Sequence, residues 1–227
     1  MERCRYMVPP LKAPNTADFE SDICEALNRG DMMRFVIIAA FLSASLSGCV
    51  APELSIEDID TEDDSPARIS FEASTYYGSN NSSSTADLQD ISNGKDVLVL
   101  WVGATCRGCH DWTDMIHSGI ANGTIEEGRV ITIHRYAAFE SEEEVVSTYV
   151  SDESEHPSTW PVMLPNEDAG VKNLDTGQTS SQSIYEAFNQ PSTPTLQIDR
   201  SDGSVDSLDH SYWADWDELV SFEGALG

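Results

Sequence analysis

A three-layer α/β/α domain built on a central mixed β-sheet is the fold class this sequence predicts, and three observations predict it. Asp96-Val-Leu-Val-Leu-Trp-Val102 is apolar at nearly every position, as expected of a central parallel strand covered on both faces. That strand runs straight into Cys106-Arg-Gly-Cys109, after which Cys109, Trp112, Ile116 and Ile120 recur at helical spacing. Late in the chain, Thr195–Arg200 and Ser204–Asp209 flank Ser201-Asp202-Gly203, a hairpin signal with a glycine available for positive φ.

Taken in order, a short strand is expected around Ile69–Phe71, and the polar run from Gly78 to Thr85 reads as an exposed loop. Asn122-Gly123 supplies the C-terminal stop of the helix that follows the cysteines. Val130-Ile-Thr-Ile-His-Arg-Tyr136 is the next strand, and its short link from the helix implies a right-handed βαβ unit. Ser141-Glu-Glu-Glu144 has the form of a capping box ahead of Val145, Val146 and Tyr149, and Ser183-Ile-Tyr-Glu186 repeats that signature. Between them, Trp160 through Gln182 is loop-rich and reads as an insertion. Trp213, Trp216, Leu219 and Val220 would form one apolar face of a terminal helix.

The 227 residues suffice for one domain and a linker. Formal net charge is −28, and 34 acidic against 7 basic residues lie from Cys49 onward. Nucleic acid and anionic membrane surfaces are poor partners for such a body, whose acidity reads as a solvated surface.

Met32-Met33-Arg34 precedes an apolar run from Phe35 to Leu46, which is signal-peptide length and too short to span a bilayer comfortably. Its end, Leu46-Ser-Gly-Cys49, resembles the lipobox of prokaryotic lipoproteins, and this resemblance implies a cleaved segment over 32–48 and a diacylglycerol on Cys49. Residues 1–31 do not fit in front of a signal peptide and are expected to be untranslated or disordered. Residues 49–67 are rich in acid and serine and read as a flexible spacer, with the domain over 68–227. The expected location is therefore extracytoplasmic, at a membrane.

Of five cysteines, at 4, 24, 49, 106 and 109, only the last two form a close pair. One possible bridge in an oxidising compartment suggests a disulfide that is made and broken rather than a structural framework. At the mouth of a helix, Cys106 meets unpaired N–H groups and the positive end of the helix dipole, which favour thiolate over thiol. Cys106 is then the exposed nucleophile, and Cys109, one turn later on the inward face, resolves the mixed disulfide. Arg107 adds positive charge, and Gly108 is expected to leave room for a partner's backbone. No cofactor beyond the Cys106–Cys109 couple, and no metal, is required.

Ser192-Thr193-Pro194-Thr195 stands just before an apolar strand. With Val97–Trp101 before the cysteine pair, Trp160-Pro-Val-Met-Leu164, Tyr185-Glu-Ala-Phe188 and Leu196-Gln-Ile-Asp-Arg-Ser-Asp-Gly203, it resembles the thioredoxin-like superfamily, and within it the membrane-anchored TlpA-like thiol reductases. The resemblance covers roughly residues 70–225 and implies the thioredoxin fold. It also implies a cis Pro194 packed against the cysteines, with Thr193 and Pro194 as a shelf for an extended substrate strand. The implied activity is thiol-disulfide exchange with protein thiols or disulfides, in the reducing direction, with apocytochrome c as a client and a membrane electron donor or acceptor. The chain departs from the family pattern in four places, one of them the absence of the helix proline common in thioredoxins. Thr105 replaces the usual tryptophan, Trp112 an acid, and Leu100 the buried aspartate of thioredoxin itself, while Asp111 and Asp114 are expected to face water.

Besides a poorly matched metal site on Cys106, Cys109 and a distant histidine, two rival readings stand beside this one. Cys106-Arg-Gly-Cys109-His110 also spells the attachment sequence of a c-type haem, with Met115 or Met163 as distal ligand. Otherwise His110 is a surface residue, and His117, His134, His156 and His210 are scattered without ligand spacing. The second rival is a redox-inactive binding module on the same scaffold.

Overall fold

The computed structural model describes residues 65–227 apart from Ser79 and Glu167. The start site, the signal segment, Cys4, Cys24, Cys49 and nearly all of the acidic spacer lie outside the described residues. No helix among the described residues is long and apolar enough to cross a membrane.

Strands β1 (Ile69–Ser70), β2 (Glu72–Tyr77) and β3 (Asn80–Asp87) lead through helix α1 (Leu88–Ser92) to β4 (Val97–Val102). Helix α2 (Arg107–Ala121), β5 (Val130–His134), α3 (Glu142–Tyr149) and β6 (Pro161–Leu164) follow. The chain closes with β7 (Gly170–Asn173), β8 (Thr179–Ser183), α4 (Ile184–Ala187), β9 (Thr195–Asp199), β10 (Val205–Ser207) and α5 (Trp216–Ala225). The main sheet has the order β10-β9-β4-β5-β6-β2-β3, and β1-β7-β8 form a small second sheet. Strands β4, β5 and β6 are parallel, whereas β9 and β10 at one edge and β2 and β3 at the other run antiparallel to their neighbours.

The apolar run of β4 is buried at every position because both faces of the sheet are covered. Leu98, Leu100 and Val102 face one core with Trp112, Ile116, Tyr149, Leu219 and Phe222 from α2, α3 and α5. Val97, Val99 and Trp101 face the other, with Phe71, Leu88, Ile184, Tyr185 and Phe188. The period of two along the strand therefore separates the cores, which makes the three layers. This is the thioredoxin fold, a β4-α2-β5 unit followed after an insertion by the β9-β10 hairpin and α5.

Both capping boxes form, with Ser141 and Ser183 each accepting from the amide three residues on. Ser141→Ala is expected to cost about 1 kcal/mol, read as a lowered urea midpoint.

Three sequence expectations need correction. The run from Gly78 to Thr85 is no loop: after a turn at Gly78 its residues enter β3, paired with β2 at the sheet edge. Pairing satisfies its backbone on one side, and exposed serine and threonine side chains suit an edge that must stay in water. The insertion is not mainly loop, since it supplies β6 to the main sheet and β7 and β8 to the small one. Trp213 precedes α5, and Trp213 and Val220 are 57% and 45% exposed, so the buried face of α5 is Leu219 and Phe222 instead.

Candidate active site

Strand β4 ends at Val102, and Gly103, Ala104 and Thr105 carry the chain to Cys106, which is the N-cap residue of α2. The Cys106 Sγ accepts the Cys109 amide N–H at 3.2 Å, so a helix-start donor points at this sulfur. Cys106 and Cys109 are joined by a disulfide, with their Cα atoms 5.2 Å apart. Burial separates the two: Cys106 is half-buried at the surface, whereas Cys109 is fully buried, its Sγ 3.8 Å from the Trp101 carbonyl oxygen. An incoming sulfur can reach only the first.

The Thr193–Pro194 peptide bond is cis, as the resemblance implied. Thr195 pairs with Trp101, so residues 193 and 194 arrive at the end of the sheet where the Trp101 carbonyl meets Cys109. Pro194 is buried, and Thr193 Oγ1 donates to the Tyr136 hydroxyl at 3.4 Å. Tyr136 also lies against Gly103, where an added Cβ would come within 3.0 Å of its ring. Tyr136 thus bridges the segment before Cys106 and the one before β9.

The space over Gly108 is taken. A Cβ there would stand 2.5 Å from the Tyr212 carbonyl oxygen and 2.9 Å from its ring, so the absent side chain admits Tyr212 of this same chain and not a partner's backbone. Arg107 is exposed beside Cys106.

Sequence reasoning missed the group that holds the preceding turn. Glu140 accepts the Ala104 amide N–H at 2.7 Å and the Thr105 amide at 3.3 Å, and its Oε2 lies 3.0 Å from His134 Nε2. Partial burial pushes the Glu140 carboxyl up, but the Ala104 amide, His134 and the Thr105 amide outweigh it and hold the group below the usual glutamate value. His134 is held below the ordinary histidine value because it is buried, a shift that Glu140 opposes. Nothing local in the sequence marks Glu140, which lies beside an acid-rich capping box and reaches Ala104 across 36 residues. Glu140→Gln is expected to lower stability by about 1–2 kcal/mol at pH 7. Because the folded-state carboxyl is depressed, that advantage is present above the unfolded value and disappears as pH falls through the folded one. Denaturant midpoints at pH 7 and pH 3 check this.

His110 is not a plain surface residue. Its Nε2 lies 2.9 Å from the Ala104 carbonyl oxygen, and its ring stacks on His156 at 4.2 Å and meets Tyr149 edge-on. Tyr149 in turn donates to the Gly103 carbonyl at 2.7 Å. Of the acids expected to face water, Asp111 accepts the Ala214 amide at 2.9 Å and Asp114 holds His156 Nδ1 at 3.0 Å.

No family model matches the sequence, and the search of curated proteins returns no match. Among solved structures, the thioredoxin domain of a thiol-disulfide oxidoreductase from Bacteroides vulgatus is 16% identical, with 71% of this chain and 98% of that one covered at a TM-score of 0.45. A protein from Chlorobium tepidum described as a thiol:disulfide interchange protein is 17% identical over 71% and 96%, at 0.45. An exposed lipoprotein thioredoxin from Streptococcus pneumoniae is 18% identical over 69% and 99%, at 0.44. These likenesses concern chain path and leave activity to the site itself.

Proposed function

We propose that this chain is an extracytoplasmic thiol-disulfide oxidoreductase that acts through Cys106 and Cys109, in the reducing direction on protein disulfides. The observation that carries the reading is the asymmetric pair at the start of α2. One sulfur is accessible and accepts a helix-start N–H, while the other is buried and already bonded to it.

In the reduced protein, the Cys109 amide and the positive end of α2 favour the Cys106 thiolate. That thiolate attacks a substrate disulfide, forming a mixed disulfide and releasing one substrate sulfur as thiolate, which takes a proton from water. Cys109 gives its proton to water, and its thiolate attacks the Cys106 sulfur, closing the Cys106–Cys109 bond and releasing the second substrate sulfur as thiolate, which takes a proton from water. Two electrons pass to the substrate, and a membrane electron donor restores the dithiol. Thr193 and Pro194 form the shelf on which the substrate strand lies, and Arg107 favours the thiolate by its charge. Apocytochrome c disulfides are one client class, and a lipid on Cys49 supplies the anchor.

His110 bears on the haem alternative. Its Nε2 is turned against the Ala104 carbonyl, so ligation of iron would require that contact to break. A glutathione redox titration, with the Cys106–Cys109 bond followed by mass after alkylation, tests the proposal. One two-electron transition near the thioredoxin potential of about −270 mV is expected. Failure to cycle removes the enzyme assignment, and a potential near about −120 mV reverses the direction.

A further inference from the structure

Tyr212 and Trp213 stand out on this surface, because they are 49% and 57% exposed. Their rings meet edge to face at 5.1 Å. The backbone on either side is firmly held. Trp112 Nε1 donates to the Ser211 carbonyl at 3.1 Å, Ser211 N donates to Glu218 at 2.9 Å, and Ala214 N donates to Asp111 at 2.9 Å. Two large aromatic rings are thus displayed to water from a fixed segment, so covering them costs little further ordering. Tyr212 ties the pair to the disulfide, since its carbonyl and ring fill the space over Gly108, the residue between Arg107 and Cys109, and Trp213 meets it edge-on. Asp209, Asp215 and Asp217 are exposed within four residues of the pair along a chain of formal charge −28.

We infer that Tyr212 and Trp213 form an aromatic docking rim for the cysteine-bearing segment of a protein substrate. That segment carries an apolar side chain beside its cysteine and basic residues farther out. The inference rests on the thiol-disulfide exchange proposed above and specifies the polypeptide it acts on. An apolar side chain flanking the substrate cysteine would lie on the rings while its sulfur meets Cys106, and Asp209, Asp215 and Asp217 would attract the basic flanks. Small disulfides have nothing to place on the rim.

The test uses the reduced protein, oxidised glutathione and two peptide disulfides, one basic with phenylalanine beside its cysteine and one acidic with glycine there. Wild-type protein is expected to reduce the basic aromatic peptide at least tenfold faster than the acidic one. Trp213→Ser, which alters an exposed ring, should remove most of that preference and leave the rate with glutathione disulfide unchanged. Tyr77→Ser, which alters an exposed aromatic on β2, the strand next to the far sheet edge, should change neither rate. Equal peptide rates in wild type and Trp213→Ser, with the glutathione reaction intact, would overturn the rim and leave the exchange activity standing. No reaction with any disulfide would overturn the exchange activity itself. Binding to phosphatidylcholine vesicles that Trp213→Ser abolishes, with peptide rates unmoved, would assign the rings to a membrane and also overturn the rim.

Discussion

Reduced Cys109→Ser protein is expected to accumulate a covalent mixed disulfide with a protein disulfide substrate, and Cys106→Ser to accumulate essentially none. Only Cys106 is both accessible and supplied with a helix-start N–H, while Cys109 lies fully buried against the Trp101 carbonyl. Removing the resolving sulfur therefore stops the reaction after attack, and removing the attacking sulfur stops it before. Both variants should lose turnover entirely, so trapping separates the roles where activity does not. Non-reducing mass spectrometry after an alkylation quench reads the outcome. Comparable trapping by Cys106→Ser would exchange the two assignments.

Asp199→Asn is expected to stabilise the protein, and by more as pH rises. Asp199 is fully buried on β9; among the described residues its Oδ1 has no hydrogen-bond partner, and its Oδ2 accepts from the Gln89 side-chain amide at 3.2 Å. Burial, and then Asp202 and Asp96, push its carboxyl up to about 8, with Asp87 adding in the same sense and Gln89 opposing. The folded-state value thus stands above the unfolded one. The contribution to stability is fully present below about pH 4 and is lost as pH rises through about 8. Each pH unit in that window costs the wild type at most about 1.4 kcal/mol, whereas asparagine does not titrate. Urea unfolding from pH 4 to pH 9 should show the stability advantage of Asp199→Asn over the wild type growing by several kcal/mol across that range. Parallel curves for the two proteins would refute the buried carboxyl as the cause.

Several elements were legible because their signals lie within a few residues. Asp96–Val102 announced a strand covered on both faces, and the spacing of Cys109, Trp112 and Ile116 announced the inward face of α2. Ser141 and Ser183 announced helix starts through their partners three residues on. Trp213 was misread for the opposite reason. Its helical spacing from Trp216 and Val220 is real, but the chain enters α5 only at Trp216, because Ser211 and Ala214 are held by Glu218 and Asp111. The β3 edge was missed because serine and asparagine carry weak strand preference, and pairing with β2 overrides it.

The order of strands and helices around the cysteine pair, and the placing of Cys106 at a helix start, were determined by sequence alone. Hydrophobic period and capping act over one or two turns of chain, so they can be read without knowing the rest. Glu140 and His134 beneath Ala104, Tyr212 over Gly108 and the burial of Asp199 were decided only when distant segments packed together. Each depends on which side chain arrives from far along the chain, and no local pattern of residues encodes that arrival.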